Sequence, residues 1–427
     1  NLQIYKMNQD LGNNCKTILE MVGEENTASI TQYINRGNKY FFPENKLKLI
    51  FYYLIVKFSR NMKKMMAQAN TIVIDKLIKN FERPKKYFGN DEPPIASLLW
   101  FMTSDVLMHL YGFDSFIYKL NLMHIDKVIG ILLKKLKTLG YLDETVIAII
   151  ADHGNYRAKK VGNLSNFFRG LGLSNYDPRK SINGNFNISE YSSVGLFNFK
   201  SNKYSELKNY SWYRPSISEL QEFGPKKVNL MYELFKIPDS HLMFYPDDNN
   251  RLDKGIIHLR KKDANSSKIC YGKIEYRGIS TNLRSKLVLE DEDENIFGYS
   301  ISDDQFSNIY NKFHSLEEWL ELTHNLDYPL YPDLLVRHFK NPRSADLIIS
   351  NKGNIVYNIA QGERKNENLH NHDIGLRKSA VVPLIIGGSP EIPKKEIKFC
   401  KTIDIVPTLL KMMAIKPDKS YIGKSLV

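Results

Sequence analysis

Three short apolar runs constrain the fold of this chain more than any other feature. They are residues 95–102, 146–151 and 381–386, and each is nearly free of polar side chains. This pattern is typical of strands buried on both faces, because helices covering a parallel sheet keep both of its faces from water. Between the first two runs, residues 125–139 place apolar side chains at three- and four-residue spacing, which predicts a helix. Strand, helix and strand in this order predict an α/β fold whose two strands are parallel.

The composition changes between the second and third runs. Residues 157–342 are rich in Asn, Ser and Tyr, which indicates a long insertion or cap over the sheet. We therefore predict a first part of an α/β core at 1–156, the insertion at 157–342 and the last part of the core at 343–427. Shorter elements predicted within these segments are helices over 46–81, 316–322 and 404–413 and strands over 269–279 and 346–350.

The charge and cysteine content exclude several classes of protein. A net charge of +13 suits an anionic partner, but the lysines are scattered, so a solvated surface is the simpler interpretation and no specific nucleic acid is expected. The longest apolar candidate, residues 47–56, is too short to span a bilayer and is interrupted by Lys48, so no membrane span is predicted. The three cysteines lie far apart and favour free thiols in a reducing, cytoplasmic compartment.

Two Asp–His pairs follow the first two apolar runs. Asp105 and His109 lie just beyond the first run, and Asp152 and His153 follow the second directly. Ligands of open α/β sheets bind at the carboxyl ends of the strands, so both pairs occupy the expected functional edge. Carboxylate and imidazole groups are suitable ligands for zinc and similar divalent ions. The sequence therefore predicts metal ligands at these four positions.

Each pair also has a structural alternative. Asp152, His153 and Gly154 could form a turn with glycine in a left-handed conformation. Asp105 could cap a helix, with His109 as a surface residue. The order of both pairs relative to the strands favours metal binding over these alternatives.

The order of these motifs resembles the alkaline phosphatase superfamily, and most of all its type I phosphodiesterase and nucleotide pyrophosphatase branch. The motif D-x-x-x-H-x-x-G at Asp105, His109 and Gly112 is followed by a helix and then by a strand that ends in Asp-His-Gly at residues 152–154. His372, shortly before the V-P-L strand, is similar to the last metal-binding histidine of the family. The segments D-I-V-P-T-L-L and G-K-S-L near the C-terminal end also resemble the superfamily.

The resemblance implies a core of mostly parallel sheet flanked by helices and a site for two divalent metal ions, with Zn²⁺ favoured and Mn²⁺ as the alternative. Asp105, His109 and His372 would hold one ion, and Asp152 and His153 the other. His370 is the alternative to His372 and fits the family spacing less well. The implied activity is hydrolysis of phosphoesters by a phosphodiesterase, pyrophosphatase or phosphatase, with a small-molecule or nucleotide substrate.

The family also uses a Thr or Ser nucleophile that precedes the D-x-x-x-H motif by a long way, and an Asp at the end of the first strand. Residues 1–45 contain neither a buried strand ending in Asp-Gly nor a nucleophile in this context. We therefore expect a truncated sequence whose nucleophile lies upstream of Asn1. Thr103 and Ser104 are weaker candidates, since the family places its nucleophile on another strand. Three alternatives stay open: a metal-binding pseudoenzyme, a sulfatase relative and a phosphoglycerate mutase relative.

Overall fold

A computed structural model describes residues 7–12, 14–59, 61–177, 183–191, 194–201, 212–263, 268–290, 295–299, 308–358, 369–372 and 375–427. In chain order, its helices are α1 (Met7–Asp10), α2 (Ile18–Met21), α3 (Lys46–Phe58), α4 (Met62–Glu82), α5 (Pro84–Phe88), α6 (Thr103–Tyr111), α7 (Phe116–Leu139), α8 (Ser165–Gly170), α9 (Ile217–Gln221), α10 (Leu230–Glu233), α11 (Leu316–Thr323), α12 (Tyr331–Phe339), α13 (Arg377–Ala380) and α14 (Ile405–Met412).

The strands are β1 (Thr27–Ile30), β2 (Tyr40–Phe42), β3 (Ala96–Leu99), β4 (Val146–Ile150), β5 (Tyr156–Arg157), β6 (Lys160–Asn163), β7 (Phe186–Tyr191), β8 (Val194–Phe199), β9 (Ser240–Pro246), β10 (Lys254–Lys262), β11 (Ile269–Arg277), β12 (Arg284–Leu289), β13 (Leu347–Asn351), β14 (Ile355–Asn358), β15 (His370–Asn371) and β16 (Leu384–Gly388). The α/β class is confirmed. Within the described residues, no helix is long and apolar enough to cross a bilayer.

The chain forms two compact units, one of residues 1–151 and 383–427 and one of residues 152–382. The division at 156 and 342 proposed from the sequence stays a prediction. The compact units divide the chain elsewhere because β13, which follows residue 342, pairs with β8 and β9 of the second unit.

The sheets of the first unit are small. Strands β2, β1 and β3 pair in parallel, and β4 pairs antiparallel with β16. The predicted order of strand, helix and strand is confirmed by β3, α7 and β4, but the two strands lie in separate sheets rather than as parallel partners. The prediction that these apolar runs are buried on both faces was wrong, since Ile149 is 39% and Ile385 60% exposed.

Two long helices, α4 and α7, form the core of the first unit with β1. Their buried residues recur at helical spacing, from Val73 to Ile78 on α4 and from Val128 to Leu136 on α7, and pack against Ala28 of β1. Ser115 caps the start of α7, and Gly140 ends it with a φ of 82°.

The two motifs near the C-terminal end, D-I-V-P-T-L-L at residues 404–410 and G-K-S-L at residues 423–426, contact each other through hydrogen bonds. The carboxylate of Asp404, which is 3% exposed, accepts a hydrogen bond from the Lys424 N–H at 2.9 Å. It also lies 3.1 Å from the ammonium of Lys401. Thr408 Oγ1 accepts a hydrogen bond from the Leu426 N–H at 3.0 Å. The buried polar groups of one motif are therefore satisfied by the other, which gives a structural reason for their occurrence together.

The second unit is built on an antiparallel sheet in the order β12-β11-β10-β9-β13-β8-β7. Both faces of this sheet are covered, because Met243 and Tyr245 of β9 belong to one hydrophobic cluster while Leu242 and Phe244 belong to another. The predicted strands over 269–279 and 346–350 correspond to β11 and β13, and the predicted helix near 316–322 is α11. The second unit thus has a sheet core of its own.

Candidate metal centre

Helix α6 presents the first Asp–His pair. Asp105 lies in its first turn and His109 one turn later, so both side chains lie on the same face. His109 Nε2 is 3.4 Å from Asp105 Oδ1, and both residues are partly exposed. Because α6 begins at Thr103, with Met102 at its N-cap, Asp105 is not the helix cap. The alternative that Asp105 caps the helix is therefore wrong.

The opposite face of α6 fixes the helix in the first unit. Leu107 is buried in a cluster with Met65 and Met66 of α4. Tyr118 of α7 lies near Asp105. Burial of Tyr118, together with the negative charge of Asp105, raises the pKa of the Tyr118 phenol. The apolar contacts thus hold α6 while its carboxylate and imidazole remain accessible.

A closed ring of three hydrogen bonds holds the start of α6. Thr103 Oγ1 donates to Asn70 Oδ1 at 2.7 Å, Asn70 Nδ2 donates to Asn121 Oδ1 at 3.0 Å, and Asn121 Nδ2 donates to Thr103 Oγ1 at 3.2 Å. All three residues are buried: Asn70 is 1% exposed, Thr103 2% and Asn121 6%. The ring joins α4, α6 and α7 two residues before Asp105. The ring also makes Thr103 a poor nucleophile, since its hydroxyl is buried and takes part in two hydrogen bonds.

In the second unit, Asp152 and His153 lie side by side. The His153 N–H donates to Asp152 Oδ1 at 3.1 Å, and His153 Nε2 is 3.7 Å from the same oxygen. His153 Nδ1 is 3.1 Å from the Gly154 carbonyl oxygen. With Nδ1 protonated and donating to this carbonyl, Nε2 carries the lone pair that a metal ion needs.

Gly154 has a structural role different from the predicted turn. It does not have a positive φ, so no left-handed conformation requires glycine here. A Cβ at this position would instead lie 2.5 Å from the Lys378 carbonyl oxygen and 3.1 Å from Ser379 Cα. The Gly154 N–H donates to the Ser379 carbonyl at 2.8 Å. Glycine is needed because another backbone segment passes beside the Asp–His pair.

The structure separates the two histidine candidates near residue 371. The imidazole of His372 stacks on that of His153, with ring centroids 3.7 Å apart and planes 15° from parallel. His370 pairs in β15 with Arg157 of β5 and is 8% exposed. His372 is therefore the histidine next to the second Asp–His pair.

Both sets of side chains suit a divalent cation. Bonds of about 2.0–2.1 Å in tetrahedral geometry separate two ligand atoms by about 3.4 Å. The Asp105–His109 distance of 3.4 Å equals this value, and the Asp152–His153 distance of 3.7 Å is slightly longer. The first unit thus brings together Asp105 and His109, and the second brings together Asp152, His153 and His372.

Several residues of these surroundings were missed from the sequence. Asn70 and Asn121 form the polar ring, and Tyr118 lies near Asp105. A usable signal exists for the asparagines: each interrupts an apolar helical stretch, where an amide side chain has low helix propensity and needs a buried partner.

Comparison with known proteins finds similarity to one family over part of the chain. Residues 30–211 match the family model described as type I phosphodiesterase / nucleotide pyrophosphatase. No curated protein matches the sequence. Among solved structures, an inactive form of murine ectonucleotide pyrophosphatase / phosphodiesterase 5 with AMP is similar, with a TM-score of 0.44 and 13% identity over 94% of this chain and 70% of that one. The human protein of the same name gives a TM-score of 0.43 and 13% identity, with the same coverage.

Proposed function

Because residues 30–211 match the type I phosphodiesterase / nucleotide pyrophosphatase family model, we propose that the chain belongs to this family of the alkaline phosphatase superfamily and is a metal-dependent hydrolase of small-molecule or nucleotide phosphoesters. The family is one of phosphoric ester hydrolases. The finer parts of the proposal are the metal ligands, the identity of the metal and the nucleophile.

The observation that carries the proposal is the pairing of carboxylate and imidazole groups at near-ligand spacing. Asp105 and His109 lie 3.4 Å apart at their ligand atoms, and Asp152 and His153 lie 3.7 Å apart. His372 adds a third candidate ligand beside His153. We propose that these five residues hold two divalent ions, with Zn²⁺ favoured and Mn²⁺ as the alternative.

Bound divalent ions would supply positive charge for the phosphoryl oxygens and lower the pKa of bound water. The protein residues would supply orientation. A hydrogen bond from His153 Nδ1 to the Gly154 carbonyl oxygen, 3.1 Å away, would select the tautomer with its lone pair on Nε2. The one-turn spacing on α6 aims Asp105 and His109 at a common point.

The nucleophile is a separate part of the proposal. Thr103 is buried and hydrogen-bonded on both sides of its hydroxyl, and Ser104 lies with its hydroxyl 3.4 Å from the Phe101 carbonyl. We propose instead that a Thr or Ser encoded upstream of Asn1 attacks phosphorus and forms a covalent intermediate. Turnover of p-nitrophenyl phosphoesters by the 427-residue chain alone would contradict this part.

Metal titration tests the ligand set independently of turnover. Isothermal titration of the EDTA-treated chain with Zn²⁺ should give two binding events. Asp152→Ala and Asp105→Ala should each weaken one of them by about 100-fold, because an anionic ligand is lost. Asp126→Ala is the matched control, since Asp126 is exposed on α7 of the first unit, and it should leave both events unchanged.

The same variants test hydrolysis in a chain extended to include the upstream sequence. EDTA should abolish hydrolysis of bis-p-nitrophenyl phosphate, and Zn²⁺ should restore it. Full activity of Asp152→Ala would refute the proposal. Two bound zinc ions without turnover of any phosphoester would identify the chain as a metal-binding pseudoenzyme.

A further inference from the structure

Helix α3 carries the largest exposed apolar stripe among the described helices, and neither the metal centre nor the core of the first unit uses it. Six of its side chains are exposed by 38% to 76% of their surface: Leu47, Ile50, Phe51, Leu54, Ile55 and Phe58. Their spacing of three and four residues places them on one face of the helix. Apolar side chains scattered singly on a surface are common, but a continuous stripe of this size marks a binding surface.

The opposite face of α3 attaches the helix to the first unit. Tyr52 is partly buried and packs edge-to-face against Phe42 of β2, with ring centroids 5.8 Å apart. The stripe is therefore directed away from the core and is not a misplaced core face. The helix has 13 residues, which corresponds to a length of about 20 Å.

The charges around the stripe indicate the chemistry of its partner. Residues 44–64 contain six basic residues and one acidic residue, Glu44. Glu44 is paired with Lys48 at 2.9 Å, while Lys63 and Lys64 at the start of α4 are exposed. An apolar helical face bordered by cationic residues is the pattern of helices that lie in the interface of an anionic bilayer.

We propose that the exposed face of α3 docks on an anionic lipid surface, with its apolar side chains inserted at the level of the acyl chains and its basic neighbours on the headgroups. A second copy of the chain is a poorer occupant. A two-fold interface would bring the two sets of basic residues together, and their repulsion would oppose association. The proposal is independent of the metal centre and of phosphoester hydrolysis.

Vesicle sedimentation tests the proposal with the 427-residue chain. The chain should bind vesicles of phosphatidylcholine with 30% phosphatidylserine. Its affinity for vesicles of phosphatidylcholine alone should be about tenfold lower. Leu47→Ser/Phe51→Ser/Leu54→Ser should lower binding to the anionic vesicles at least tenfold. Lys63→Gln/Lys64→Gln should lower it about threefold to tenfold and weaken its dependence on salt.

The matched control is Phe116→Ser/Met123→Ser, which removes two apolar side chains of α7 that are 73% and 66% exposed. It should bind like the unchanged chain. A second measurement uses Leu54→Trp, whose fluorescence difference spectrum should shift to the blue when anionic vesicles are added. Absence of vesicle binding by the unchanged chain, or equal binding by the α3 triple variant, would overturn the proposal. So would a dimer in light scattering that the triple variant makes monomeric without any change in vesicle binding.

Discussion

The imidazole rings of His153 and His372 stack 3.7 Å apart between centroids, although 218 residues of sequence lie between them. His370, only two positions from His372, is instead buried in β15 next to β5. The stacking places His372 beside His153, which supports the proposal that His372 rather than His370 binds the metal. Substituting each histidine therefore separates the two.

His372→Ala should weaken zinc binding by about 100-fold or more, because removal of even a group that only orients a ligand costs 10- to 100-fold. His370→Ala should leave zinc affinity within about threefold and lower the free energy of unfolding, since it leaves a cavity in β15. Calorimetric titration and urea unfolding of both variants measure the difference. The assignment fails if His370→Ala causes the larger loss of affinity.

Thr103→Val should destabilise the first unit by about 3 kcal/mol. The substitution keeps the side-chain shape but leaves Asn70 Oδ1 and Asn121 Nδ2 buried without their Thr103 partner. We also expect about tenfold weaker zinc binding, because the start of α6 loses its anchor two residues before Asp105.

Thr103→Ser keeps the hydroxyl and should restore zinc affinity. Thr71→Val is the matched control, since Thr71 is an exposed threonine on α4, and it should change the free energy of unfolding by less than about 0.5 kcal/mol. Equal destabilisation by the two valine variants would contradict a specific role for the ring.

Gly154→Ala should lower the free energy of unfolding by about 1–3 kcal/mol. The new Cβ would meet the Lys378 carbonyl at 2.5 Å, and backbone atoms cannot move aside as a flexible side chain can. Gly130→Ala provides the contrast, because Gly130 lies within α7 and a Cβ there meets no atom within 4 Å. It should stabilise the chain by about 0.5–1 kcal/mol. Thermal unfolding should show a lower melting temperature for Gly154→Ala and a higher one for Gly130→Ala than for the unchanged chain.

The free energy of unfolding of the second unit should depend on pH through Asp346. Burial raises the pKa of this carboxyl to about 6, although its oxygens accept hydrogen bonds from the Phe199 N–H at 2.8 Å and the Arg214 guanidinium at 3.2 Å. The folded state therefore keeps a proton that the unfolded state loses near pH 4. Between pH 4 and pH 6 this group lowers the free energy of unfolding as the pH rises, by up to about 3 kcal/mol.

Asp346→Asn removes the titrating group while its amide oxygen can still accept the Phe199 N–H. Urea unfolding at pH 4, 5, 6 and 7 should show a smaller loss of stability with rising pH in the variant than in the unchanged chain. Parallel pH profiles for the two proteins would show that Asp346 does not titrate in this range.

Local periodicity predicted the helices well. The three- and four-residue spacing of apolar side chains predicted α7, which ends at Gly140 in a left-handed conformation that favours glycine. The strand β13 was predicted from the apolar run at 346–350. These features depend on neighbours in sequence, which a single chain displays directly.

Strand pairing was not predictable in the same way. β4 was expected beside β3, but its partner in the structure is β16, far downstream. An apolar run predicts a strand but not which strand it meets, because pairing is decided by distant segments. The Asn70–Thr103–Asn121 ring was missed for the same reason, since its three members come from three helices. The two candidate Asp–His pairs could be found from the sequence because the members of each pair are adjacent or one helical turn apart.

The position of β13 in its sheet affects how the second unit can form during synthesis. β13 lies between β8 and β9, although it is the last strand of that sheet to leave the ribosome. Until it arrives, β7–β8 and β9–β12 are two separate blocks with open edges, and open edges invite pairing with other chains. A nascent chain that stops before Leu347 would therefore present two unjoined half-sheets, which are natural targets for chaperones.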